Sequence, residues 1–237
     1  MTEYERHGHL TTVGAALNGI PNSSRRRAYT REEGDRIAPS AYEFTGEETA
    51  QFHREAAERY HLANAPELFV QAAADHPQVQ SWAAHYLRNG IGSPWLLLLG
   101  DVGTGKTHQA YGALRYMAAS GQPTIMWRAT TATTLYARLR PGAENEFETE
   151  FATWSTCPLL LLDDLGATRK TEFIEEVTYR LVDERYTASL PMIITSNLLP
   201  EEFADRFGKR TASRLRQACQ VIDMGLTDRR QAPEVGA

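Results

Sequence analysis

The segment from Gly100 to Thr107 limits the folds open to this chain more than any other feature. It has the pattern Gly-x-x-x-x-Gly-Lys-Thr, and it stands between a short apolar run at 95–99 and a helical pattern at 106–120. Glycines at this spacing let the backbone curl so that its N–H groups point inward at a phosphate, and the start of a helix adds a favourable dipole. The sequence therefore predicts a phosphate-binding loop between a buried strand and a helix.

Two side chains of this loop have predicted roles at the phosphates. Lys106 is expected to reach the β and γ phosphates of ATP, and Thr107 is expected to bind Mg²⁺. The alternative is a glycine-rich turn without a ligand, which the order of strand, loop and helix disfavours. The residues predicted to contact ATP are Gly100, Asp101, Val102, Gly103, Thr104, Gly105, Lys106, Thr107 and His108.

An acidic pair follows a second apolar run, Leu159 to Leu162. Because ligands of open α/β sheets bind at the carboxyl ends of the strands, Asp163 and Asp164 are expected near the phosphate loop. We expect Asp163 to hold Mg²⁺ and Asp164 to act as general base toward the attacking water. An Asp-Asp pair alone is more often a helix start or a solvated turn, and its position after the phosphate loop favours the site.

A third apolar run, 192–194, leads into Thr195, Ser196 and Asn197. Since the ends of neighbouring strands converge on one crevice, Asn197 is predicted to orient a water or contact the γ-phosphate. The alternative is that Ser196 and Asn197 only turn the chain before Pro200.

The pattern beyond Ser93 predicts an α/β fold with a parallel five-stranded sheet flanked by helices. Upstream, helices are expected at 45–63 and 66–88, the second interrupted at Pro77, whereas residues 1–45 show no sustained apolar period. The predicted strands are 95–99, 124–128, 158–163, 191–195 and 220–223.

Composition and charge exclude several classes of protein. No apolar run among the 237 residues approaches the roughly 20 needed to cross a bilayer. The acidic N-terminus lacks the features of a secretory signal, so a cytoplasmic protein with no membrane partner is expected. A net charge of −5 provides no cationic excess for wrapping duplex DNA. Cys157 and Cys219 are predicted to be reduced thiols in the core.

Four segments in this order resemble the AAA+ ATPases of the DnaC/DnaI helicase-loader and IstB transposition-helper group. The resemblance spans roughly residues 65 to 230. It rests on Gly-Thr-Gly-Lys-Thr-His at 103–108, Leu-Leu-Leu-Leu-Asp-Asp-Leu-Gly at 159–166, Ile-Ile-Thr-Ser-Asn-Leu at 193–198 and Gly-Lys-Arg-Thr-Ala-Ser-Arg-Leu at 208–215.

The resemblance implies roles for individual residues. Lys106 and Thr107 match the Walker A pair, Asp163 and Asp164 match Walker B, and Asn197 matches sensor 1. Arg214 matches the arginine finger that reaches a neighbouring subunit, with Arg210 as runner-up, and Arg229 lies where the sensor 2 arginine is expected. Asp164 departs from the wider AAA+ pattern, which has glutamate there, although loaders of this type also carry aspartate.

The segment 206–216 concentrates basic side chains in an acidic protein. An arginine supplied in trans stabilises charge on a transferred phosphoryl group, which favours the finger role for Arg214. For Arg206, Lys209 and Arg216 a solvated basic face is expected.

Single-stranded DNA is the polymer that the resemblance implies. Arg128, Arg138 and Arg140 flank a helical stretch at 130–140, and Tyr136 would add an aromatic side chain beside them. The alternative is that these are ordinary surface residues. The triplet Arg25-Arg26-Arg27 is expected to be a solvated stretch, with contact to a nucleic acid or a partner as the alternative.

The function that the resemblance implies is that of an ATP-dependent helicase loader. Such a protein binds a replicative hexameric DNA helicase and assists its placement on single-stranded DNA, and it self-associates through the finger interface. An IstB-like helper that oligomerises on DNA and recruits a transposase, a small-molecule kinase and a non-hydrolysing nucleotide switch stay open as alternatives. We expect a partner-binding region at 1–75, partly flexible and then helical, and an AAA+ ATPase domain at 76–237.

Overall fold

Five parallel strands form one sheet within residues 45–142 and 146–229, the ranges that the computed structural model describes. They are β1 (Trp95–Leu99), β2 (Trp127–Thr131), β3 (Leu159–Asp163), β4 (Met192–Ser196) and β5 (Cys219–Asp223). The strands pair in the order β2-β3-β4-β1-β5. The predicted α/β fold with a parallel five-stranded sheet is confirmed, and β1 lies inside the sheet between β4 and β5.

Helices cover both faces of this sheet. In the described ranges they are α1 (Gly46–Asn64), α2 (Pro77–Asn89), α3 (Lys106–Ala118), α4 (Ala132–Arg138), α5 (Phe147–Ser155), α6 (Glu172–Thr187) and α7 (Glu202–Ala218). Local signals set their starts: Thr45 and Glu48 form a capping box on α1, and the hydroxyl of Thr171 accepts the N–H of Ile174 in α6. Helix α7 is kinked at Gly208, where φ is 83°.

The apolar residues of β1 divide between two core clusters. Leu97 packs on one face with residues of α4, α5, α6 and α7, and Leu96 packs on the other with residues of α2 and α3. Because successive side chains of a strand point to opposite faces, a continuous apolar run is expected only where both faces are buried. The run of leucines before Gly100 therefore belongs to a central strand.

Strand β2 begins at Trp127 and ends at Thr131, so the predicted strand at 124–128 was placed three residues too early. The register with β3 pairs Trp127 with Leu159 and Thr131 with Asp163. Because β2 is an edge strand in the described sheet, its two faces need not both be buried, and its last residues, Thr130 and Thr131, can be polar.

The second part of the helical stretch predicted at 66–88 is confirmed, because α2 begins at Pro77, whereas the chain between α1 and Pro77 is mostly not helical, in contrast to the first part. After a 3-10 turn at Glu67–Phe69 it passes close to α3, where a Cβ on Gly112 would overlap the backbone of Ala73. Gln109 of α3 holds this segment, because its amide nitrogen donates to Ala73 O (3.3 Å) and its oxygen accepts the N–H of His76 (3.0 Å). Packing against α3 overrides the local helical pattern.

Helix α1 packs against the edge strand of the sheet. The hydroxyl of Tyr60 donates to Trp127 O at 2.7 Å, and the two rings meet edge to face. The compact unit that contains the sheet begins at Phe44 and includes α1, and the predicted boundary between residues 75 and 76 stays a prediction. The residues 1–44, with Arg25-Arg26-Arg27, lie outside the described ranges.

Among the described helices, none has the combination of length and apolar character that crossing a lipid bilayer requires. Cys157 is buried and Cys219 is half-buried, and both are free thiols. Burial raises the pKa of both thiols, that of Cys219 to about 12.

Candidate nucleotide site

The phosphate loop leaves the C-terminal end of β1 and enters α3 at Lys106. Gly103 and Gly105 have φ angles of 87° and 91°, and residues with a Cβ rarely adopt this backbone conformation. The hydroxyl of Thr104, which is fully buried, donates to Asp101 O at 2.9 Å and braces the turn. The pattern of glycines thus forms the tight loop that the sequence predicts.

Lys106 is buried at the first turn of α3. Its ammonium group donates to two carbonyl oxygens of the loop, Gly100 O at 2.8 Å and Asp101 O at 2.7 Å. The positive charge is therefore held at the mouth of the loop, where a phosphate oxygen would compete for the same donors.

The side chain of Asp163, at the end of β3, accepts hydrogen bonds from side chains of two other elements. The hydroxyl of Thr107, on α3, donates to Asp163 Oδ1 at 2.9 Å, and the hydroxyl of Thr195, on β4, donates to the same oxygen at 2.6 Å. The structure thus brings together the two predicted Mg²⁺ ligands, Thr107 and Asp163. A hydroxyl and a carboxylate are hard oxygen donors, and Mg²⁺ in phosphate sites uses one or two such groups beside phosphate oxygens, so these residues fit this cation.

Several effects act on the pKa of Asp163, and their net result is a pKa above its usual range. Burial is the largest cause and raises it, and the charge of Asp164 raises it further. The two hydroxyl donors and the charge of Lys106 lower it. A cation bound beside this carboxylate would favour its ionised form.

Asp164 is exposed one residue beyond β3, and its φ angle of 56° lies in the left-handed region. Its backbone N–H donates to the hydroxyl of Thr195 at 2.9 Å. Non-glycine residues in this conformation are uncommon and cluster at functional sites. The turn leaves the predicted general base open to water at the edge of the sheet.

Asn197 is exposed one residue beyond β4, the strand that pairs with β3. The preceding hydroxyl, Ser196 Oγ, donates to Leu165 O at 2.5 Å and accepts the N–H of Leu198 at 3.1 Å. These bonds tie the turn after β4 to the turn after Asp164. The role of Asn197 toward a water or the γ-phosphate stays a prediction.

Arg229 lies against the phosphate loop. Its backbone N–H donates to Gly103 O at 3.0 Å, and its Cδ lies 3.5 Å from the position that a Cβ on Gly105 would occupy. The preceding residue, Asp228, packs its carboxylate against Gly103 so closely that any side chain there would overlap it. Sequence reasoning missed Asp228, because no local pattern links it to a loop that lies more than a hundred residues earlier.

The arginines in the basic segment of α7 differ in their surroundings. Arg214 pairs with Asp183 Oδ1 at 2.5 Å and lies 4.6 Å from the centre of the Tyr186 ring, so α6 holds the predicted finger residue. Arg206, which we expected to be solvated, is half-buried and donates to Gly166 O at 2.6 Å. That expectation was wrong, because Arg206 lies beside the turn that follows Asp164.

The residues predicted to contact DNA are in three different settings. Arg128 is exposed on β2, and Arg140 is exposed just beyond α4. Arg138 is paired with Glu150 at 3.2 Å. Tyr136 is 2% exposed, and its hydroxyl lies 2.6 Å from that of Thr178, so the expectation that it supports DNA contact from the surface was wrong.

Thr195 is a second site residue to which the sequence analysis assigned no role. It forms part of an apolar strand, and a hydroxyl in that position looks like one more β-branched core residue. The signal that would have found it is the register, because Ile194 pairs with Leu162 and the next position in each strand is Thr195 and Asp163.

Comparisons with known proteins agree with this architecture. The crystal structure of the DnaC helicase loader is similar with a TM-score of 0.55 and 22% identity, over 67% of this chain and 99% of that one. The crystal structure of DnaI is similar with a TM-score of 0.57 and 20% identity, over 70% of this chain and 94% of that one. At these identities the likeness shows the fold alone.

Two comparisons rest on sequence. The chromosomal replication initiator protein DnaA of Lactobacillus helveticus (strain DPC 4571) is 28% identical over 127 residues, which are 53% of this chain and 28% of that protein. The chain therefore matches less than a third of the length of that initiator. A family model described as IstB-like ATP binding protein matches residues 62–230. This match covers more than half of the chain and includes the phosphate loop, the acidic pair and the basic segment of α7, so the chain belongs to the family of IstB-like ATP binding proteins.

Proposed function

We propose that this chain is an ATP-dependent helicase loader, which binds a replicative hexameric DNA helicase and assists its placement on single-stranded DNA. The observation that carries the proposal is the convergence of Thr107, Asp163 and Thr195 beside the loop of Lys106, because a hydroxyl and a carboxylate in this position would hold the Mg²⁺ of a bound ATP. The proposal is also supported by the likeness in fold to the DnaC helicase loader and to DnaI. The matches cover 99% and 94% of those two chains.

Each site residue has a part in the proposed hydrolysis. Lys106 would balance the charge of the γ-phosphate, and Asp164 would accept a proton from a water that Asn197 orients. Thr107 and Asp163 would hold Mg²⁺, which supplies neutralising charge at the phosphates. Because contacts to the γ-phosphate exist in only one nucleotide state, hydrolysis would act as a timer for release of the partner.

Size-exclusion chromatography with light scattering tests the loader function directly. The purified chain is mixed with the replicative helicase of its own host in the presence of ATP, ADP or no nucleotide. We expect co-elution at a defined stoichiometry that depends on the nucleotide. A chain that binds ATP but forms no complex in any nucleotide state would contradict helicase loading.

The match to the IstB-like family favours one further candidate, a transposition helper that oligomerises on DNA and recruits a transposase. The nucleotide site would work in the same way, and only the partner differs. ATP-dependent assembly on DNA that retains a transposase encoded beside the gene, together with no helicase complex, would favour this candidate over the loader.

A further inference from the structure

Thr195 contacts both members of the acidic pair with one buried hydroxyl. Its Oγ1 donates to Asp163 Oδ1 at 2.6 Å and accepts the backbone N–H of Asp164 at 2.9 Å, and the residue is fully buried. A threonine hydroxyl has a single proton, so donation to the carboxylate leaves its lone pairs for the N–H group. One side chain on β4 thus sets the position of the last residue of β3 and of the residue that follows it.

The face of the sheet on which Thr195 lies brings it close to Thr107. Side chains two residues apart in a strand share a face, and Ile193 packs in the core cluster that includes residues of α3. Thr195 shares that face, and Thr107 is in the first turn of α3. Thr107 and Thr195 donate to the same oxygen of Asp163, and two such bonds restrict rotation of the carboxylate.

The left-handed conformation of Asp164 gives the second bond of Thr195 its importance. A residue such as aspartate at a φ of 56° is held there at a cost that its surroundings must offset. The bond from its N–H to Thr195 Oγ1 supplies part of that support. Loss of the hydroxyl would release both the Asp163 carboxylate and the turn that presents Asp164.

We propose that Thr195 is a positioning residue for the Mg²⁺-nucleotide: its hydroxyl sets the orientation of the Asp163 carboxylate and the turn at Asp164. This inference rests on the proposed nucleotide function of the same site. It assigns to Thr195 a role distinct from that predicted for Asn197, since Thr195 acts through the acidic pair and Asn197 is exposed beyond the strand.

The test measures how strongly Mg²⁺ increases nucleotide affinity. The dissociation constant of a fluorescent, non-hydrolysable ATP analogue is determined by anisotropy, once with Mg²⁺ and once with EDTA, for the full chain and its variants. Removing a group that orients a metal ligand typically costs tenfold or more in metal affinity, so in Thr195→Val the enhancement by Mg²⁺ should fall about tenfold. Its dissociation constant in EDTA should match that of the wild type.

Two further variants separate positioning from a general effect on stability. Thr195→Ser keeps the hydroxyl and should retain the enhancement. Thr178→Val removes another buried, hydrogen-bonded threonine hydroxyl, on α6, and should also retain it. If Thr195→Val does not fold, Thr195→Ala also lacks the hydroxyl and introduces no larger group.

The outcomes are distinguishable. Equal enhancement in the wild type and in Thr195→Val or Thr195→Ala would overturn the positioning role. The same loss in Thr195→Ser or Thr178→Val would assign the effect to stability and overturn it as well. A wild-type chain that shows no Mg²⁺-dependent binding at all would instead overturn the proposed nucleotide function.

Discussion

Lys106 donates to the carbonyl oxygens of Gly100 and Asp101, and these are bonds that a bound phosphate would replace. Hydrogen bonds from a charged group contribute about 1.5–3 kcal/mol each. Lys106→Ala should therefore raise the dissociation constant of an ATP analogue about a hundredfold or more, a loss near 3 kcal/mol. Fluorescence anisotropy measures this change, and Lys209→Ala, at an exposed position of α7, is the control. Unchanged affinity in Lys106→Ala would remove the assignment of the phosphate loop.

Asp164 is accessible to water and lies in a conformation that asparagine also tolerates. Asp164→Asn should therefore preserve the turn and its bond to Thr195 while removing the predicted general base. General-base catalysis contributes about 10²–10⁴-fold, so we expect ATPase turnover to fall by about two orders of magnitude or more. Affinity for ATP should stay within about threefold of the wild type. Phosphate release and anisotropy measure the two quantities, and wild-type turnover would show that Asp164 is not the base.

At the scale of elements, Arg185 of α6 joins the end of α5 to the starts of β3 and β4. It is 0% exposed, and its guanidinium donates to Trp154 O and Cys157 O at 2.9 Å and to Pro191 O at 2.6 Å. Burial lowers its pKa, and these carbonyl oxygens replace the water that the charge loses. A buried cation thus fixes the position of two neighbouring strands whose opposite ends carry the site.

Substitution of Arg185 should therefore affect stability more than substitution of an exposed arginine. Arg185→Met removes at least three hydrogen bonds from a charged donor to carbonyl oxygens, and such bonds contribute about 1.5–3 kcal/mol each, so the free energy of unfolding should fall by about 3 kcal/mol or more. The control is Arg216→Met, at an exposed position of α7, for which we expect a change within about 0.5 kcal/mol. Urea denaturation followed by circular dichroism measures both. Equal stability of the two variants would contradict the role of Arg185.

At the scale of the whole molecule, the predicted finger role of Arg214 would place part of the nucleotide site on a second copy of the chain. In one copy Arg214 is held on α6 by Asp183 and Tyr186, where its half-exposed guanidinium is presented in a defined position. If Arg214 acts in trans, Arg214→Ala and Asp164→Asn should each have low ATPase activity, and their mixture should recover a substantial part of it. Hybrid interfaces then combine one intact Asp164 with one intact Arg214. A mixture with only the summed activities of the two variants would contradict a shared site.

With a net charge of −5 the chain has no overall excess of positive charge, so contact with DNA would require a local basic surface. Arg128 and Arg140 are exposed, whereas Arg138 is paired with Glu150. The double variant Arg128→Ala/Arg140→Ala should lose affinity for single-stranded DNA, and its salt dependence should become shallower by about 1.4, since each phosphate contact on a single strand contributes about 0.7 to the slope. Arg138→Ala alone should change both less. Anisotropy titrations at several salt concentrations measure the slope, and an unaltered slope in the double variant would place the DNA site elsewhere.

The sequence by itself determined the features that depend on neighbouring residues. The phosphate loop, the apolar runs of β1, β3 and β4 and the start of α2 at Pro77 follow from local chemistry: backbone freedom at glycine, burial of leucine and the missing N–H of proline. The positions of Lys106, Thr107, Asp163 and Asp164 at one edge of the sheet follow as well, because parallel strands bring their carboxyl ends to the same side.

The tertiary structure decided what depends on which elements lie side by side. The order of the strands put Thr195 next to Asp163, and the packing of α4 against α6 buried Tyr136. The return of the chain after β5 brought Arg229 to Gly103. Contact with α3 held residues 73–76 out of the helix predicted there. These contacts join residues far apart in sequence, and their free energy comes from packing and hydrogen bonds that a local pattern does not encode.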